Sequence, residues 1–418
     1  MNRSLAPLRH RQFALLWSGA FISNIGTWME TVGVGILVTE RTHTSIWSAI
    51  VLVAGFAPGA LLGPVGGALA DRFSRRRLML STTVIQTILA GLLAVLAATT
   101  TPHPATVAFI VLCSGCANAI GFPSYMAMLP DLVPEEDLVG AVALSSAQWN
   151  LGRVIGPALA GVAIVLGGYA WAFACNTASF FAVIGALLLV RLPPMVTRQQ
   201  SIPDAIRQGA RYTARDPGLR VVVGYMALNT FLAAPFIALI PSMSINVLGA
   251  GKAGTSVLTT AQGLGAVVMA FSLGSFAARF GNRRVLISVL WSLPIALALY
   301  AIAPTLALSA IALVLVGFLY LGALSSFISI AQLRAPNEVR GRVVSVLQVM
   351  LGALYPLGAL LQGALADAWG LRVVTAGSGL LMLGLLAVAR LTRPNFADAL
   401  ESPAMPFEGA AAGTIEAI

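Results

Sequence analysis

The chain is predicted to be an all-α membrane protein, with twelve transmembrane helices in two pseudo-symmetric six-helix bundles. Three observations lead there: a shortage of charge, twelve apolar stretches of spanning length, and a charged segment that recurs in the second half. Of 418 residues, 58% are hydrophobic and 10% charged, against about 25% charged in ordinary soluble domains. A helix needs about 20 apolar residues to cross a bilayer. Stretches 13–38, 46–70, 78–99, 105–129, 139–166, 169–192, 221–248, 255–278, 285–303, 306–333, 343–366 and 373–391 meet that length.

Each stretch is bounded by charge or by turn residues, and the sign of that charge orients it. Arg3, Arg9 and Arg11 precede the first stretch, which is too long for the core of a signal peptide and is expected to remain. Four arginines lie between the second and third, six between Arg191 and Arg220, three between Arg279 and Arg284, three between Arg334 and Arg342, and Arg390 and Arg393 follow the last. Counted by alternate loops, 21 of the 25 cations fall on one side, three on the other (Arg41, Lys252, Arg372), and Arg153 lies within a stretch. Arginine-rich short loops resist translocation, so both termini are expected in the cytoplasm. The net charge of +10 is thus an orientation signal, and no nucleic-acid partner is expected.

The even number of stretches divides into a first bundle at 1–192, a cytoplasmic linker at 193–219, a second bundle at 220–392 and a disordered cytoplasmic tail at 393–418. In the linker, Ser201 as N-cap with Pro203 and Asp204 in the first turn reads as a helix start. Ile202 and Ile206 share one side and Arg207 and Arg211 another, which suits a helix lying on the inner membrane face, or else a solvated linker. Cys113, Cys116 and Cys175 all lie in apolar stretches, so no disulfide framework or metal site is expected; the Cys113-x-x-Cys116 spacing reads as small packing residues, not a redox pair. No cofactor is expected.

The charged segment at 67–77, GALADRFSRRR, joins the second and third stretches. It resembles the loop signature of the major facilitator superfamily, Gly-x-Leu-Ala-Asp-Arg-x-Gly-Arg-Arg. Gly67, Leu69, Ala70, Asp71, Arg72, Arg75 and Arg76 match, while Ser74 stands where that family has glycine. The segment recurs at 274–284, with Gly274, Arg279, Gly281, Arg283 and Arg284 in register and Ala278 replacing the aspartate. The resemblance implies that Asp71 faces the start of the eleventh helix near Val343 and, with Arg72, Arg75 and Arg76, latches the outward-facing state. The bland alternative is that these arginines only set topology.

Among fifteen acids, Glu30 is the one well inside a stretch, roughly 25 Å from the inner surface at about 1.5 Å per residue. A carboxylate there is costly to keep charged, so Glu30 is the leading proton carrier. Arg153 lies roughly 21 Å deep by the same rise, and the two can pair if the first and fifth helices are neighbours. Glu30 also reads as a hydrated helix-end acid, and Arg153 as a strut to helix carbonyls.

Around Arg153, Gly152, Gly156, Ala160 and Gly161 permit close helix approach and Pro157 removes a backbone donor. The run resembles the fifth-helix antiporter motif of the same superfamily, Gly-x-x-x-Gly-Pro-x-x-Gly-Gly, with Ala160 in place of one glycine; in that family the motif marks exporters more often than importers. The first half is similar to the branch containing enterobactin exporters and macrolide efflux proteins. That similarity implies proton-driven export of small amphipathic molecules, siderophores or drugs among them, by a monomer in the bacterial inner membrane. It also implies a substrate cavity, for which Asn24, Trp28, Asn118, Phe122, Tyr125, Gln148, Trp149, Asn150, Asn229, Phe231, Gln262, Tyr320, Gln348 and Tyr355 are candidate liners. Lys252 lacks the phosphate-loop context of an ATP-driven pump, and His10, His43 and His103 lie in loops or near helix ends, so an enzyme is not expected. A facilitator or uptake carrier without proton coupling, a lipid flippase and a non-transporting receptor stay open.

Overall fold

The computed structural model describes residues 3–192, 202–336, 339–392 and 396–401. A 3-10 turn, Arg3–Arg9, leads into α1 (Arg11–Thr42), α2 (Ser45–Arg72), α3 (Arg75–Thr99), α4 (Pro104–Leu132) and α5 (Glu135–Leu189). Then come α6 (Ile202–Arg215), α7 (Pro217–Leu228) and α8 (Phe236–Ser242), the last two extended by π-turns at Asn229–Ala233 and Met243–Val247. The chain continues through α9 (Gly251–Phe280), α10 (Asn282–Ile302), α11 (Leu306–Arg334), α12 (Arg340–Trp369) and α13 (Leu371–Thr392), and a 3-10 turn follows at Phe396–Leu400. The described residues contain no strand.

Eleven helical runs are long and apolar enough to cross a membrane, where the sequence predicts twelve. The difference lies in α5, a run of 55 residues; a straight helix of that length spans about 80 Å against a hydrocarbon core of about 30 Å. Its backbone leaves helical geometry at Gly167 (φ −147°, ψ 17°) and Gly168 (φ 73°, ψ −172°), the second in a region that glycine reaches without steric cost. Pro157, which removes one backbone donor, is buried within it. Pro217–Val247 forms one run of 31 residues. Pro235 and Pro241 donate no backbone bond, and the first π-turn closes with Ala234 N–H donating to Asn229 O at 3.0 Å.

Buried apolar side chains separate by chain position. One large cluster draws on residues 212–400, with Leu258, Leu290, Leu313 and Phe327 fully enclosed and Ala49 the one member from earlier in the chain. Three smaller clusters lie almost wholly among residues 8–192.

The loop between α2 and α3 shows why serine is tolerated there. Ser74 sits at φ −54°, ψ 114° and accepts from Arg77 N–H as the cap of α3. In the second copy the equivalent Gly281 stands at φ 82°, ψ 147°, where a Cβ is strained. The two copies share a sequence pattern but turn differently.

The helix expected in the linker is α6; its cap at Ser201 and residues 193–201 lie outside the described residues. Arg207 and Arg211 are exposed, Tyr212 and Thr213 are buried, and Gln208 accepts from Arg342 of α12. Burial holds the Tyr212 phenol above its ordinary value.

The tail expected to be disordered from 393 carries one ordered turn, because α10 and α11 hold it. Arg334 donates to Leu400 O at 3.1 Å, and Arg283 pairs with Asp398 and with Glu401. Residues 393–395 and 402–418 lie outside the described residues. Arg334 also grips Asp216 bidentately, at 2.9 and 3.0 Å, with both side chains buried, while Asp216 caps α7 by accepting from Leu219 N–H at 2.7 Å.

Candidate functional site

Two faces of α1 organise the interior. Gly26, Glu30 and Gly33 follow the i, i+4, i+7 spacing of one helix face, and that face meets the C-terminal part of α5. A Cβ at Gly26 would lie 2.7 Å from Asn176 Oδ1, and one at Gly33 would lie 3.0 Å from Phe173. The resulting close approach lets Asn176 Nδ2 donate to Glu30 Oε2 at 2.6 Å. Glu30 is buried and lines a cavity of about 80 Å³ together with Trp28, Thr31, Ser48, Thr255 and Thr259.

Asn24 and Trp28 form another face of α1, one turn apart, and meet the N-terminal part of α5. A Cβ at Gly156 would lie 2.8 Å from Ile25 O, and one at Gly152 would lie 3.2 Å from Asn24 Cβ. Arg153 is half-buried with its guanidinium 5.6 Å from the Trp28 ring centroid and within electrostatic reach of Tyr320 and Tyr355. The depth argument allows a Glu30–Arg153 ion pair, and the structure does not form it. Trp28 and Glu30 are separated by about 200° around the helix, so the side chain facing Arg153 is Trp28 while Glu30 faces Asn176. Gly161 turns to another neighbour, its Cβ position 2.8 Å from Ser256 of α9.

The other candidate liners divide by environment. Trp149 stacks edge-on against Trp28 at 5.6 Å, and Tyr320 against Phe236 at 5.8 Å; Tyr355 is half-buried. Tyr125 is tied up in the protein, accepting from Gln148 at 2.8 Å and bonding Ser145 at 3.0 Å. Asn150 bonds its own helix at Ser146 O, and the Phe231 carbonyl accepts from Gln362. Asn118, Phe122 and Gln348 are exposed. Buried polar atoms without a hydrogen-bond partner among the described residues include Trp28 Nε1, Gln148 Oε1, Asn229 Oδ1 and Gln262 Nε2.

The end of the molecule away from residues 67–77 is closed by contacts between the two halves of the chain. Glu40 accepts from Tyr169 at 2.5 Å and pairs with Lys252 at 3.4 Å. Asp367 of α12 accepts from the backbone N–H groups of Ser45 and Ile46 at 2.5 and 3.0 Å. Ser48 bonds Ser242 at 3.1 Å, and Asn246 donates to His43 O at 3.1 Å.

At the arginine-rich end the polar contacts among the described residues stay within each half. Arg75 binds Asp131 at 2.7 Å and Ala127 O at 2.9 Å. Arg76 binds Leu188 O, and His10 meets Asp137 at 2.7 Å. Asp71 and Arg72 are exposed and make no ion pair among the described residues. Gly67 has open space where a Cβ would stand.

Sequence reasoning missed Asn176, the direct partner of Glu30. Its signal was present: a lone amide in the apolar stretch 169–192. Lys252 was read only as a loop cation, and Glu40 and Asp367 were not singled out.

Helices of spanning length, a buried acid beside an internal cavity, and a seam closing one end of the molecule define a multi-pass membrane transporter. Over residues 2–412 the chain matches the family model described as transmembrane secretion effector, MFS_3; it belongs to that family of the major facilitator superfamily and is a transporter of small molecules, not an enzyme. It is 26% identical to the multidrug efflux pump Tap of Mycolicibacterium fortuitum, over 93% of this chain and 96% of that protein. It is 28% identical to the enterobactin exporter EntS of Salmonella choleraesuis (strain SC-B67), over 92% and 93%. In fold it is similar to a bacterial homolog of the human lysosomal transporter Spinster in an inward-facing, occupied conformation, with TM-score 0.75, 15% identity and coverage of 94% and 97%.

Proposed function

We propose that the protein exports small amphipathic molecules, siderophores or drugs, in exchange for protons by alternating access, and that Glu30 carries the proton. The observation that supports this is the setting of Glu30: buried, beside a cavity roomy enough for several waters at about 10–15 Å³ each, and held by a neutral amide. A carboxylate paired with an arginine is locked in its charged form, whereas one facing an amide is stable enough to be charged and free to be neutralised. Arg153 acts on the same cavity through Trp28, which it covers and which lines the cavity with Glu30. The exporters among the relatives and the small-residue run at Gly152, Gly156, Pro157 and Gly161 support the outward direction.

In this reading α5 counts as two spans broken at Gly167 and Gly168, which makes twelve helices in two bundles, at 1–192 and 220–392, joined by the linker at 193–219. The arginine-rich end and both termini face the cytoplasm of the bacterial inner membrane, and the monomer is the working unit. The closed seam around Glu40 and Asp367 then belongs to the state open to the cytoplasm. Asp71, exposed here, is free to latch onto α12 near Val343 in the opposite state, with Arg72, Arg75 and Arg76.

The test is substrate-induced proton movement in liposomes carrying an internal pH dye, with siderophores, macrolides and cationic dyes added outside. Proton flux with one class, abolished by Glu30→Gln while that ligand still binds, is the expected result. Transport of labelled ligand without proton flux would replace coupling by facilitated diffusion, and unchanged flux in Glu30→Gln would remove Glu30 from the path. If Asp71→Asn slows nothing and favours no state, the latch is wrong.

A further inference from the structure

A second, larger cavity of about 800 Å³ opens at the arginine-rich end among α7, α9, α10, α11 and α13. Its size falls within the range of about 300–1,000 Å³ usual for ligand pockets. It is chemically divided. Phe276, Trp291 and Phe318 supply apolar walls, with the Phe276 and Phe318 rings edge-to-face at 6.3 Å. Arg283, Arg284 and Arg390 supply its charge. We propose that this cavity is a binding site for an anionic phospholipid, with the phosphate between Arg284 and Arg390 and an acyl chain against the aromatic walls.

Four features carry the assignment. Arg284 and Arg390 are exposed and make no ion pair among the described residues, so their guanidiniums are open to a phosphate, which they match in geometry. The α10 N-terminus lies at the same place, capped by no side chain, and its unbonded N–H groups favour an anion. The arginines stand at the ends of α10 and α13, where a membrane-spanning helix meets the headgroup level. Basic pockets between helices at that level suit anionic headgroups, and the aromatic walls suit a chain that a free anion lacks.

The ordered tail turn stands in this site as a competitor. Asp398 lines the cavity, and both Asp398 and Glu401 pair with Arg283. These carboxylates are largely exposed, with 54% and 63% of their side-chain surface accessible, and such pairs are weak. Neutralising them frees Arg283 to join Arg284 and Arg390 at the phosphate and removes negative charge beside it, so their removal strengthens lipid binding.

The experiment uses the full chain in detergent, with native mass spectrometry counting bound dioleoylphosphatidylglycerol against dioleoylphosphatidylcholine. Arg284→Ala with Arg390→Ala should weaken retention of the anionic lipid by about fivefold for each arginine, while Arg340→Ala, exposed on the same end but outside the cavity, leaves it unchanged. Asp398→Asn with Glu401→Gln should raise retention, a gain that misfolding does not produce. Equal retention in the double arginine variant overturns the site. Equal loss in Arg340→Ala reduces it to unspecific surface charge, and displacement by millimolar inorganic phosphate reassigns it to a free anion.

Discussion

Asn176 donates to Glu30 across 146 residues of chain, and Gly26 makes that contact possible by leaving no Cβ between the two helices. A hydrogen bond to a charged group is worth about 1.5–3 kcal/mol. On the proposed coupling, Asn176→Leu should therefore slow the proton-driven flux by roughly tenfold or more, read as dye-reported flux in liposomes, with the protein still monodisperse on size exclusion.

The twin loops after α2 and α9 should respond unequally to substitution. Gly281→Ala places a Cβ at φ 82° and should cost about 1–2 kcal/mol. Ser74→Gly removes a cap at an ordinary φ and should cost only a few tenths, about 0.3 kcal/mol. Thermal unfolding in detergent, followed by tryptophan fluorescence, distinguishes the two.

Arg334 and Asp216 form a buried pair, and taking away one partner leaves a buried charge without its counter-charge. Arg334→Ala should destabilise by about 3–5 kcal/mol, and the double variant Arg334→Met with Asp216→Leu should recover much of the loss. The same thermal measurement reads both, and a single variant as stable as the parent would show that the pair contributes nothing.

Closure of the seam rests on few polar groups, so Asp367→Ala should loosen it. Ser48, nearly inaccessible here, is the reporter: as Ser48→Cys in a background without Cys113, Cys116 and Cys175, it should label with a maleimide roughly tenfold faster once Asp367 is gone, at about 1.4 kcal/mol per tenfold.

The spans and their orientation signal were legible because they depend on composition alone: apolar length and the placement of arginines need no knowledge of neighbours. The break at Gly167 and Gly168 marks the gap between stretches 139–166 and 169–192, yet sequence did not show that the backbone would run on with so little interruption. The site was less legible. Depth along a helix follows from counting residues, so Glu30 and Arg153 were both found, but their pairing depends on helix phase and on which neighbour each face meets. That is a tertiary property, and it sends Glu30 to Asn176 and Arg153 to Trp28. Ser74 stands where the resembled signature has glycine, and its negative φ explains why it is tolerated.

Asp367 closes the seam by accepting two main-chain amides of α2, so what it recognises on that helix is not a side chain. Every residue except proline carries such an amide, so this contact places no demand on the side chains of Ser45 and Ile46. Within this contact the constraint falls on one partner: the codon for Asp367 must keep its acceptor, whereas the Lys252–Glu40 and Ser48–Ser242 contacts of the same seam bind both of their side chains.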